Sequence, residues 1–202
     1  MKIAGIDPSM NSTGKCIMDL DDETFDIKSI MFYGYHTTKV RSISGERLRI
    51  DHIGTKFTSY NMFERQDLAY NILATDMEDV RHIAFEGYAF GKTGTSSLIQ
   101  LGEFNGGMKK FFYDQGKGII IYPPTTIKHF ATGSGAADKV GMVESFKKLY
   151  PCLYPESFNQ LPQYDSPHSD LCDAFWICEI LRNQLKYDIL GESSLAPHIV
   201  AL

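Results

Sequence analysis

The order of the apolar segments is the feature that most constrains the fold of this chain. Three strand-like segments come first, at residues 1–6, about 14–19 and about 24–34, and the polar turn 19–23 is typical of an antiparallel hairpin. Helical and strand-like patterns then alternate, with helices over about 61–79, 96–114, 126–130, 137–150 and 169–187 and strands over 80–85 and 118–122. This order predicts a mixed α/β fold: a five-stranded sheet with three antiparallel and two parallel strands, flanked by helices.

Acidic residues stand where several of these segments end or begin. Asp7 follows the first strand and precedes Pro8, which has no N–H to continue a strand ladder. Glu86 ends the strand 80–85. Asp170 and Asp173 are three residues apart near the start of the last helix, so they share one face. Taken singly, each has an ordinary explanation as a turn residue or as an acid that complements a helix dipole.

Taken together, these four carboxylates predict a metal site. Crowded carboxylates raise one another's pKa unless a cation lies among them. Hard oxygen ligands select Mg²⁺ over zinc, and Mn²⁺ can substitute for it. Two such ions can activate a water on one side of a phosphodiester and stabilise the leaving oxygen on the other. Because strand-ending carboxylates can meet at one edge of the predicted sheet, phosphodiester hydrolysis is the favoured chemistry.

Four segments, in order along most of the chain, resemble the motifs of the RuvC family of Holliday junction resolvases. GIDPSMNSTG (5–14) resembles the first motif, and the strand that ends in Glu86 resembles the second. IKHFATGSGAADK (127–139) resembles the segment that carries two active-site lysines, and DLCDA (170–174) resembles the closing D-x-x-D-A. The resemblance implies an RNase H-like fold. It also implies a Mg²⁺-dependent crossover junction endodeoxyribonuclease that resolves Holliday junctions and related branched DNA.

The resemblance also assigns roles to further residues. Lys139 would stabilise the charge that develops on the phosphorane, and Lys128 would bind a nearby phosphate. Two solvated helix lysines are the alternative. Tyr88 or Phe90, just past Glu86, would stack on an unpaired junction base. For each of these two aromatic residues, a packing role is an equally open interpretation.

A homodimer is implied by one further segment. LIQLGEFNGG (98–107) resembles the helix that packs across the dimer interface of the family. Gly102, Gly106 and Gly107 lie inside this predicted helix, where each costs up to about 1 kcal/mol in propensity. They permit close approach of another backbone, and a kinked helix is the alternative. A homodimer would place one site on each of two junction strands and make paired nicks.

The charge distribution permits a nucleic-acid partner although the net charge is −5. Residues 81–150 carry 9 basic and 5 acidic side chains, hence net +4, between flanks of net −4 and −5. A basic segment is more often a solvated face than a phosphate site, so this charge distribution permits nucleic-acid binding but does not predict it.

The four cysteines form no C-x-x-C pair, which argues against zinc and for a reducing compartment.

Without an apolar run of 18 residues or a signal-like N-terminus, we expect no membrane association. We expect no small-molecule cofactor, and a cytoplasmic location in a bacterial or phage-infected host cell. The domain prediction is a single nuclease domain over 1–188, with insertions at about 35–60 and 150–167, and a C-terminal tail over 189–202. For His168, a surface position is favoured over a helix cap or a metal contact.

Three other interpretations compete with a junction-resolving nuclease. An actin-like ATPase or sugar kinase also begins with a strand and an aspartate, but such proteins have about twice this length and a second Gly-rich phosphate loop. A branched-DNA-binding protein without cleavage would not need four carboxylates and two lysines. A nuclease with broader substrates, such as forks, flaps or RNA, would keep the same chemistry and is an equally open interpretation.

Overall fold

The computed structural model describes residues 1–37, 42–53, 62–88 and 95–191. The strands in these residues are β1 (Lys2–Asp7), β2 (Ser12–Leu20), β3 (Ile27–His36), β4 (Ile43–Gly45), β5 (Leu48–His52), β6 (Val80–Glu86) and β7 (Gly118–Tyr122). The α-helices are α1 (Met62–Leu73), α2 (Thr95–Asp114), α3 (Pro124–Thr132), α4 (Lys139–Leu149) and α5 (His168–Leu190). A short 3-10 helix (Glu156–Gln160) precedes α5.

The strands form one mixed sheet in the order β4-β5-β3-β2-β1-β6-β7. β1, β2 and β3 pair as an antiparallel meander, and β6 and β7 continue the sheet parallel to β1. This arrangement confirms the predicted mixed α/β class, including its three antiparallel and two parallel strands. The predicted total of five strands is wrong, because the described residues form seven.

The two additional strands lie in the segment 35–60, for which the sequence predicts an insertion and no strand. β5 pairs parallel to β3, and β4 pairs antiparallel to β5. Leu48 and Ile50 are buried whereas Arg49 is exposed, so β5 does alternate. Five residues of alternation are too few to separate a strand from a loop by pattern alone. The pairing with β3 defines the strand.

Helices cover both faces of the sheet. α3, α4, α5 and the segment 150–167 bury one apolar cluster, in which the rings of Phe146 and Phe175 are stacked 3.7 Å apart. α1 and α2 bury a second cluster on the opposite face. Among the helices that the structure describes, none is both long enough and apolar enough to cross a membrane.

Two glycines allow α5 to lie directly against the meander. A Cβ added to Gly5 on β1 would come within 3.0 Å of the backbone of Ala174 and Cys178. A Cβ added to Gly14 on β2 would come equally close to the backbone of Asp170. Both glycines belong to the segment GIDPSMNSTG, so this sequence serves helix packing as well as chemistry. The close contact brings the first turns of α5 to the carboxyl end of β1.

On the face of the sheet that α1 and α2 cover, a buried lysine connects β2 to the end of α1. Lys15 on β2 is fully buried, and its Nζ donates to the carbonyl oxygens of Leu73 at 2.9 Å and Thr75 at 2.6 Å. The same Nζ lies 4.1 Å from the ring centroid of Tyr33. The last carbonyls of a helix have no partner within the helix, so Lys15 satisfies the end of α1. Burial lowers the pKa of Lys15 to about 7.

Candidate active site

Asp7 and Glu86 leave neighbouring parallel strands at the same end of the sheet. The register pairs Ile6 of β1 with Phe85 of β6, so the next residue on each strand is an acid. The two carboxyl side chains are hydrogen-bonded to each other. The strands therefore place two acidic groups side by side at the same end of the sheet.

The first turns of α5 add two more carboxylates. Asp170 is buried at 7% exposure and lies against Gly14, while Asp173 is half-buried one turn further along. Burial raises the pKa of Asp7 well above its ordinary value, and the charges of Glu86, Asp173 and Asp170 raise it further. The structure thus brings the four acidic residues from three segments within electrostatic range of one another.

Raised pKa values let this group of carboxyl side chains keep protons to a higher pH than isolated carboxyl groups would. Burial raises the pKa of Asp173 to about 7, and the charges of Glu86 and Asp170 act in the same direction. Burial also raises the pKa of Glu86, although its hydrogen bond with Asp7 and the charge of Lys128 oppose the rise. A cation bound among these carboxylates would relieve the repulsion between them.

The two lysines of the segment 127–139 flank this cluster. Lys128 is half-buried on α3, and its charge acts on both Glu86 and Asp173. Lys139 is the first residue of α4, whose N-cap Asp138 accepts a hydrogen bond from the N–H of Gly141. The Nζ of Lys139 lies 3.8 Å from Oδ1 of Asp165, and both side chains are mostly exposed. The positive charge of Lys139 also reaches Asp173.

The donor chemistry of the site fits a hard divalent cation. In the described part of the chain, no three His, Cys, Asp or Glu side chains are yet arranged so that they could hold a metal ion. Instead, the side chains of Asp7 and Glu86 are hydrogen-bonded to each other, which requires a proton between them. Protons and a metal compete for the same oxygens, so a cation would displace the shared proton. Asp7, Glu86, Asp170 and Asp173 are the residues that would hold it.

Tyr88 lies just past Glu86 and packs against α2. Its hydroxyl donates to the carbonyl oxygen of Gly102 at 3.2 Å, and the Nζ of Lys109 lies 4.8 Å from its ring centroid. The ring is half-buried, so the structure gives it a packing role. Its predicted contact with a DNA base stays a prediction. Phe90, the other aromatic candidate, lies outside the described residues.

The expectation that His168 lies at the surface is wrong. The side chain is buried, its Nδ1 accepts the N–H of Tyr164 at 3.0 Å, and its Nε2 lies 2.5 Å from the hydroxyl of Tyr154. Burial lowers the pKa of His168 to about 4, so the ring is neutral. His168 thus holds the segment 150–167 against the start of α5. The residues next to His168 in the sequence do not indicate its contact with Tyr154.

Sequence reasoning missed three serines. The hydroxyl groups of Ser12, Ser166 and Ser169 all donate to the carboxylate of Asp170. Only Ser12 stands in a recognised motif, at a position that the motif leaves open. Serines in turns are common, so no sequence signal separates these three from the others.

No protein-family profile matches the chain. Its structure is similar to that of RuvC from Thermus thermophilus, with a TM-score of 0.57, 18% identity, and coverage of 95% of this chain and 97% of that one. For T. thermophilus RuvC in complex with a Holliday junction substrate, the TM-score is 0.59 at 18% identity over 95% and 96% of the two chains. For the yeast mitochondrial Holliday junction resolvase Ydc2, it is 0.53 at 13% identity over 92% and 80%. The predicted resemblance is thus confirmed at the level of the fold: this chain has the same fold as these solved Holliday junction resolvases.

Proposed function

We propose that this protein is a divalent-metal-dependent endonuclease that cleaves four-way junctions and related branched DNA. The observation that carries the proposal is the meeting of Asp7, Glu86, Asp170 and Asp173 at one sheet edge, where burial and mutual repulsion raise the pKa of three of them. One of the structural neighbours was solved with a Holliday junction substrate, which supports branched DNA as the partner.

Each group at the site has a task in phosphodiester hydrolysis. The four carboxylates would hold Mg²⁺, which when bound supplies Lewis-acid stabilisation of the phosphodiester oxygens. Lys128 and Lys139 carry positive charge beside the cluster, where a scissile phosphate would lie. Lys139 is exposed and its partner Asp165 is exposed as well. An exposed ion pair contributes at most about 1 kcal/mol, so a phosphate can replace Asp165 readily.

The cleavage test compares a synthetic four-way junction with a linear duplex of the same sequence, each with Mg²⁺ and with EDTA. We expect the parent protein to cut the junction only when Mg²⁺ is present. The Asp7→Asn variant should lose more than about 100-fold in rate while still binding the junction, because phosphate contacts supply most of the affinity. Asp67→Asn, on the exposed face of α1, is the matched control and should cut like the parent.

Two results would overturn the proposal. Cleavage by Asp7→Asn near the parent rate would remove the metal site from the mechanism. Binding of the junction by the parent without any cleavage in Mg²⁺ or Mn²⁺ would leave a DNA-binding protein instead of a nuclease. Forks, flaps and an RNA duplex in the same assay would show whether the substrate range is broader than four-way junctions.

We further propose that the protein works as a homodimer formed through α2. Among the described residues, nothing lies within 4 Å of a Cβ added to Gly102 or Gly106, so this face is open to another backbone. Ile99 on α2 and Phe63 on α1 are 57% and 79% exposed. Gly107 differs, because an added Cβ would meet the hydroxyl of Tyr70. A symmetric pair would present two equivalent sites to opposed junction strands.

A further inference from the structure

Hydroxyl groups from three parts of the chain converge on the carboxylate of Asp170. Ser12 on β2 donates to Oδ2. Ser166, at the end of the segment 150–167, donates to Oδ1 at 2.9 Å, and Ser169 on α5 donates to the same oxygen at 3.2 Å. Asp170 and Ser169 are almost completely buried. Three donors on one carboxylate fix its orientation more firmly than helix packing alone would.

The two oxygens of Asp170 differ in what they can still accept. A carboxylate oxygen offers about two acceptor positions. Both positions of Oδ1 are taken, by Ser166 and Ser169, whereas Oδ2 accepts only the hydroxyl of Ser12 among the residues that the structure describes. A cation at this site therefore meets one available oxygen of Asp170, which is Oδ2.

Ser166 is itself held in place by contacts on both sides. Its backbone N–H donates to Oδ1 of Asp165 at 2.8 Å, and its carbonyl oxygen lies 3.3 Å from Nε2 of His36 on β3. The neighbouring contacts of His168 fasten the same segment to α5. The segment 150–167 thus contributes a hydroxyl group to the site at a fixed position.

We propose that Ser166, together with Ser12 and Ser169, is a positioning residue that restricts Asp170 to binding a cation through one oxygen. The consequence is selectivity for Mg²⁺ over Ca²⁺. Mg²⁺ requires near-ideal octahedral geometry with single-oxygen ligands, whereas Ca²⁺ readily takes carboxylates through both oxygens. The proposal rests on the proposed metal-dependent function, in which Asp170 is a metal ligand.

The experiment measures the binding of Mg²⁺ and of Ca²⁺ to the DNA-free protein by titration calorimetry. It compares the parent with Ser166→Ala, Ser166→Thr and Asp170→Asn. Ser157→Ala is the matched control, because Ser157 is a half-buried serine of the same segment and lies beside Gly45 at the end of β4. Thermal melting checks that each variant folds. Ser166 is only half-buried, so its replacement leaves the core intact.

We expect Ser166→Ala to weaken Mg²⁺ binding by about 10-fold or more, the usual effect of losing an outer hydrogen bond to a metal ligand. Ca²⁺ binding should weaken far less, because Oδ1 becomes available to it. Ser166→Thr should restore the preference for Mg²⁺, and Ser157→Ala should resemble the parent. Unchanged Mg²⁺ binding in Ser166→Ala, or equal weakening for both ions, would overturn the proposed restriction.

Failure of the proposed function gives a different result. If Asp170→Asn binds Mg²⁺ like the parent, Asp170 is not a metal ligand and both proposals are wrong. If the parent binds neither ion, the metal site itself is wrong. If Asp170→Asn loses Mg²⁺ binding while Ser166→Ala keeps both affinities, only the positioning role of Ser166 is overturned.

Discussion

Replacing Asp173 by Asn should stabilise the metal-free protein while abolishing its proposed activity. Burial raises the pKa of Asp173 in the folded protein to about 7 from an ordinary value of 3.8. In the unfolded chain this carboxyl loses its proton near pH 4, whereas in the folded protein it keeps the proton until about pH 7. The unfolded state therefore binds fewer protons between these values, and the free energy of unfolding falls as the pH rises through that window.

The magnitude follows from the difference between the two pKa values. A difference of about 3 pKa units corresponds to about 4 kcal/mol at a pH above 7. Asp7 and Glu86 titrate together with Asp173 and share part of this penalty, so roughly 2 kcal/mol should be recovered by Asp173→Asn at pH 8. For a chain of this size, that gain raises the melting temperature by about 4–8 °C. At pH 4.5 the gain should be below about 1 kcal/mol.

The assay is urea unfolding of the parent, Asp173→Asn and the exposed control Asp67→Asn, at pH 4.5 and pH 8, in the presence of EDTA. Asp67→Asn should follow the parent at both values. Addition of Mg²⁺ at pH 8 should stabilise the parent and narrow the gap to Asp173→Asn, because the cation takes over the role of the proton. The reasoning is refuted if Asp173→Asn is no more stable than the parent at pH 8, or if its advantage is the same at both pH values.

Three further predictions concern the lysine, the dimer and the helix contact. Lys139→Ala should lower the single-turnover cleavage rate on the junction more than it weakens junction binding, because the charge matters most in the transition state; an unchanged rate with weaker binding would make Lys139 an ordinary phosphate contact. Gly106→Leu should shift the protein towards the single-chain mass of 22.8 kDa in light scattering. A parent that is itself monomeric at micromolar concentration would contradict the proposed dimer. Gly5→Ala should destabilise the fold by about 1–3 kcal/mol in urea, because its Cβ would force α5 away from β1. A stability equal to that of the parent would show that α5 can move without cost.

The sequence by itself determined the elements and the positions of the acidic residues along them. Apolar periodicity and turn residues are local properties, so β1, β2, β3, β6 and β7 could be predicted within a few residues. Asp7 and Glu86 could be identified because each follows a strand directly. Because β6 lies beside β1, parallel to it and with Ile6 paired with Phe85, the residues that end the two strands lie next to each other. The role of these residues as metal ligands stays a prediction, for which the structure supplies proximity and raised pKa values.

Only the tertiary structure decided what depends on contacts between distant segments. β5 is a strand because β3 provides its hydrogen-bonding partner, since five residues of weak alternation do not specify one. His168 is buried because the segment 150–167 folds over it. The hydroxyl group of Ser12 reaches Asp170 across 158 residues of chain, through the close contact that Gly14 allows. Local sequence cannot encode such pairs, because each partner has many equivalent residues elsewhere and packing selects among them.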